Sequence, residues 1–138
     1  MNRKHLKEFL TEHYDRTHTG LLSVLPENLA RTLDSNPRPK ISVIAGGRSY
    51  YQWSGKQTTI ALSDDIVRDA FFYRRVNHYG VDVDPAIPLL DALYHEQVHH
   101  LQRLLGWITF PMNCAIEGTA EFFSYLLWQK MALGVMLQ

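Results

Sequence analysis

"HEQVHH", residues 95–100, decides how the rest of the chain is read. His95 and His99 stand four apart, with Glu96 directly after the first. On an α-helix that spacing puts the two imidazoles one above the other on a single face. The flanks support a helix. Pro88 suits a first turn, where its missing N–H costs nothing, and Gly106 suits a C-terminal stop. One helix from about 88 to 106 is therefore expected to carry the stretch. His100 falls about 140° round that helix from His95, away from the shared face.

Two imidazoles one turn apart match two corners of a zinc tetrahedron, which needs a third protein ligand and an open position for hydrolytic work. Glu96 projects to one side, where its carboxylate can take a proton from a metal-activated water without ligating the metal. The third ligand is expected in "EGTAE", residues 117–121. Glu117 follows His99 after 17 intervening residues, enough for a loop and a returning helix. Gly118 and Ala120 are small enough for close helix packing. Glu121, one turn beyond Glu117, is a candidate to accept the free N–H of a ligand histidine and so hold its tautomer. Asp91, one turn before His95, is a candidate for the same role.

His95-Glu96-Gln97-Val98-His99 followed by Glu117 resembles the gluzincin branch of zinc metallopeptidases. "EGTAE" is similar to the EGxAE segment of that group, and the small chain resembles its single-domain members, the minigluzincins. The resemblance spans roughly residues 41–125. It implies that His95, His99 and Glu117 bind Zn2+ and that Glu96 is the general base. It implies a zincin-like fold, with a small, mainly antiparallel sheet on an active-site helix and a following helix that bears the glutamate. It also implies that "TTIAL", 58–62, is the edge strand that pairs with an extended peptide. An oxyanion stabiliser would come from outside these motifs. Tyr125 continues the Glu117, Glu121 series, and His78, Tyr50 and Tyr51 are rivals. "AEFFSYLL" is similar to a segment of small HExxH proteases that cleave repressors, but their helix-turn-helix partner is not in this sequence.

The remaining chain reads as α+β. Leu6, Phe9, Leu10 and Tyr14 recur at helical spacing, with Gly20 as an interruption, and Pro26 opens a short second helix. "DSNPRPK", 34–40, is a loop. "ISVIA", "RSYYQW" and "TTIAL" are three closely spaced strands, expected to pair in order as an antiparallel meander. Ser63, Asp64 and Asp65 suit a helix start, and Gly80 suits that helix's end. "VDVDPAIP" is a connection.

The 138 residues suit a single domain, 1–138, and 46% are apolar, enough for a core. Lys plus Arg and Asp plus Glu balance at 14 each, so no basic field exists to hold nucleic acid or an acidic membrane. One cysteine, Cys114, excludes an internal disulfide and points to a reducing, cytoplasmic setting. No apolar run approaches the ~20 residues of a membrane span. These features lead to a zinc peptidase acting on peptides or proteins. A non-catalytic, zinc-stabilised regulatory or partner-binding module is the alternative. Residues 1–35 are a candidate inhibitory cover for the site, and a dimer is a further way to complete it.

Overall fold

The computed structural model describes residues 2–55, 57–78, 80–106 and 120. It is an α+β structure. Helix α1 spans Arg3–Val24 and α2 spans Glu27–Ser35. Strands β1 (Lys40–Ile44), β2 (Tyr50–Ser54) and β3 (Gln57–Ser63) follow, then α3 (Asp64–Phe71). A short hairpin, β4 (Val76–His78) and β5 (Val81–Val83), leads into α4 (Ala86–Leu104).

Asn2 caps α1 by accepting from the N–H groups of Lys4 and His5 at 2.9 and 3.4 Å. The buried side chains Leu10, Tyr14, Thr17 and Leu21 follow at three- and four-residue steps, so one stripe faces the interior. Gly20 does not interrupt the helix, contrary to the expectation. It serves a close approach instead: a Cβ there would lie 2.7 Å from the Tyr94 hydroxyl oxygen of α4. The weak helix propensity of glycine, about 1 kcal/mol against alanine, is accepted where two helices need contact without a side chain between them.

The three strands do not form a meander. Their order is β1-β3-β2, with β1 parallel and β2 antiparallel to β3. Two features explain the difference. Ile60, Ala61 and Leu62 of β3 are at most 1% exposed, so this strand is covered on both faces and belongs in the centre. The connection 45–49 crosses the end of β3 rather than turning back on β1. Gly46 and Gly47 take φ values of +72° and +74° there. Two hydrogen bonds then pin the crossing, from Ser63 N–H to Ser49 Oγ at 3.0 Å and from Gly46 N–H to Asp64 Oδ1 at 3.2 Å. "TTIAL" is therefore central, and among the described residues the strand edges belong to β1 and β2.

Helix α3 also ends earlier than expected, at Phe71. Tyr73 turns into the left-handed region at φ +53°, and the valines beyond it pair as Val76↔Val83 and His78↔Val81. Gly80, expected to stop the helix, sits in the hairpin turn with φ +81°. Asp84 then accepts from Ala86 N–H at 2.8 Å and opens α4.

Helix α4 is the hub. Leu89 and Leu93 join Ile60, Leu62 and Val67 in a core beneath the sheet and α3. Leu90, Tyr94, Val98 and Leu101 join Leu21, Leu25 and Leu33 of α1 and α2, with Ala120, in a second core. Each fully buried leucine contributes roughly 1.5–3 kcal/mol, so α4 is held from both sides. No helix among the described residues is long and apolar enough to cross a membrane.

Candidate metal centre

The two cores fix the rotation of α4 and so decide where its polar side chains point. His95 and His99 open onto a cleft of about 710 Å³. Helix α4 forms its floor with Asp91, His95, Glu96 and His99. Tyr50 and Tyr51 of β2 form one wall, and His78 reaches in from the hairpin. None of residues 2–35 lines this cleft; α1 packs on another side of α4.

The Nε2 atoms of His95 and His99 approach to 3.1 Å, with the rings nearly perpendicular at 83°. Two nitrogens at ~2.0–2.1 Å from one zinc ion, at the tetrahedral angle, stand ~3.3 Å apart. The pair is thus spaced to share one small cation. The donor chemistry fits as well. His99 Nδ1 lies 2.8 Å from Gln102 Oε1. A carbonyl oxygen accepts there, so the ring proton sits on Nδ1 and Nε2 keeps its lone pair. Glu96 Oε1 lies 4.0 Å from His95 Nε2, beside the pair rather than between its members. Both Glu96 and His99 are buried, at 5% and 2% exposure.

His100 points elsewhere. Its Nδ1 lies 2.8 Å from the Tyr51 hydroxyl, which donates to it. Burial pushes its pKa down to about 4, partly offset by the Pro37 carbonyl, so the ring is neutral. Burial likewise pushes Tyr51 up to about 12, so its hydroxyl keeps the proton it donates. Arg103, one turn after His99, lies over the Trp53 ring at 5.7 Å and donates to the Gly55 carbonyl at 3.3 Å. These contacts tie β2 to the helix that carries the pair.

Of the residues singled out from sequence, the structure brings together His95, Glu96 and His99. Asp91 lines the same cleft, with its Oδ2 3.4 Å from His78 Nε2. Glu117, Glu121 and Tyr125 lie outside the described residues. Among the described residues no group of three His, Cys, Asp or Glu side chains is placed to hold a metal ion. Ala120, between Glu117 and Glu121 in the chain, is helical and fully buried in the core beside Val98 and Leu101. Sequence reading missed Gln102 as the partner of His99. Its signal was available, since it stands three residues on along the same helix. No protein family, curated protein or solved structure matches the chain.

Proposed function

We propose that the chain is a zinc-dependent peptidase, with His95, His99 and Glu117 as the metal ligands. The observation that carries this reading is the 3.1 Å approach of the two Nε2 atoms on the floor of a cleft, with Glu96 beside them. Zinc bound there supplies Lewis acidity, which lowers the pKa of water and polarises a carbonyl. Glu96 takes a proton from the attacking water and returns it to the leaving amine. Glu96 is itself buried, at 5% exposure, so its carboxylate is held in place at the cleft floor.

Strand β2 replaces "TTIAL" in this reading as the edge along which an extended substrate lies, since it is the antiparallel edge strand that lines the cleft. His78, which reaches into the same cleft with its Nε2 3.4 Å from Asp91 Oδ2, is the side chain we place nearest the carbonyl oxygen of a bound substrate. The arrangement of a strand edge over a helix with paired imidazoles is compatible with the zincin-like fold that the resemblance implies.

The test joins metal content to turnover. The purified chain is expected to carry one equivalent of zinc and to cleave unfolded protein. Glu96→Gln should retain the metal and lose about 10²–10⁴ of the rate, the usual worth of a general base. A metal-loaded Glu96→Gln protein with unchanged turnover would sink the mechanism. Stoichiometric metal without hydrolysis of any peptide pool would favour a zinc-stabilised binding module instead.

A further inference from the structure

The second strand edge, that of β1, lies away from the metal centre. Among the described residues β1 pairs with β3 alone, and none of them pairs with the other side of its backbone. A groove of about 480 Å³ runs between β1 and the first turns of α1. Leu6 and Leu10 of α1, with Ile41 and Val43 of β1, make its apolar lining. Val43 keeps 36% exposure there. Arg3, Lys7 and Lys40 also line the groove, and no acidic residue among the described ones does. All three cations are exposed, and none is held in an ion pair among the described residues.

We propose that this groove binds an extended, acidic segment of a partner protein, which adds to β1 as a further strand. Three independent features specify that occupant. An open strand edge offers backbone N–H and C=O groups at the spacing of another strand, and so selects an extended chain. The apolar lining selects hydrophobic side chains at alternate positions, because successive residues of a strand point to opposite faces. Three cations with no ion pair among the described residues select carboxylates along the segment. Lysine on an edge strand also serves to repel unwanted pairing. A guard of that kind would reject strands in general, whereas the cationic rim proposed here admits the acidic ones. The inference does not depend on the peptidase reading, since the groove shares no residue with the cleft.

The test uses the full chain and a fluorescent peptide of about eight residues that alternates Val and Asp, followed by anisotropy. Saturable binding is expected, weakening as salt rises. Lys7→Glu with Lys40→Glu should weaken it at least about tenfold, with the far-ultraviolet circular dichroism unchanged. N-methylation of alternate peptide residues keeps the charge and blocks strand pairing, and should weaken binding at least about tenfold without altering the protein. His95→Ala should bind the peptide as the parent does. No saturation up to about 1 mM would overturn the proposal. So would equal binding of the methylated peptide, or loss of binding in His95→Ala with none in the lysine variant. Concentration-dependent self-association abolished by the lysine substitutions would overturn it in favour of a second copy of this chain.

Discussion

Helix α4 carries polar side chains on two sides, and the two sides use them differently. Toward α1 and β2, the polar groups close on protein partners. Gln97 Nε2 donates to Thr17 Oγ1, and His100 accepts from Tyr51. Toward the cleft, His95 and His99 face each other across 3.1 Å, with Glu96 alongside and open volume above them. Histidine serves in both places, so residue type alone does not separate structure from chemistry. What separates them is that His95 and His99 border a cavity large enough for a ligand and His100 does not.

The largest expected effect that sharpens this contrast is at Gln102. Gln102→Leu keeps the volume but removes the acceptor on His99 Nδ1. If the pair holds zinc as proposed, metal affinity, measured by competition with a chelator, should fall about 10–100-fold. Unchanged affinity would show that another acceptor, Glu121 first among them, holds the His99 ring. The second effect is at the α1–α4 contact. Gly20→Val places methyl groups against the buried Tyr94 hydroxyl and should cost about 1–3 kcal/mol in urea unfolding. Adding Tyr94→Phe removes the oxygen and should restore part of that loss. If it restores nothing, the cost lies in the helix backbone rather than in the approach.

The smallest effect is alkaline. Burial raises Tyr14 to about 12, partly opposed by Arg38. Its folded pKa lies above the unfolded value near 10. The stabilisation is therefore complete below pH 10, and it is lost as pH rises from 10 through 12, where the unfolded chain gives up its proton first. At pH 11 the loss is about 1.4 kcal/mol, one pKa unit's worth. Tyr14→Phe should flatten this part of the pH–stability curve, and an unaltered slope would assign it to other groups.

The reach of sequence reading follows the range of the interactions. His95, Glu96 and His99 share one helix turn, so their grouping was legible from spacing. Helix α4, Ala86–Leu104, lies within two residues of the expectation at each end, where Pro88 falls in the first turn and Gly106 just past the last, for the same local reason. Gln102 falls outside the expectation because that expectation named carboxylates, Glu121 on the following helix and Asp91 one turn before His95, whereas an amide oxygen on the next turn serves. Strand order was not legible. Three apolar runs in succession suit a meander as well as the observed order, and the path of residues 45–49 over β3 decides between them. The end of α3 was misplaced because Gly80 suits a helix stop and a hairpin turn equally, and the turn at Tyr73 has no glycine to mark it.

Local periodicity alone therefore determined the α+β character, the helix that presents His95 and His99, and the position of Glu96 beside them. Each follows from contacts within about four residues, which the amino-acid order specifies directly. Tertiary structure alone decided that β2 rather than β3 is the sheet edge at the cleft, that His78 meets Asp91, and that His100 serves Tyr51. Those pairings join residues 13 to 49 apart in the chain. They exist because two apolar cores hold α4 at one rotation against the sheet and α1, a choice made by packing over the whole molecule.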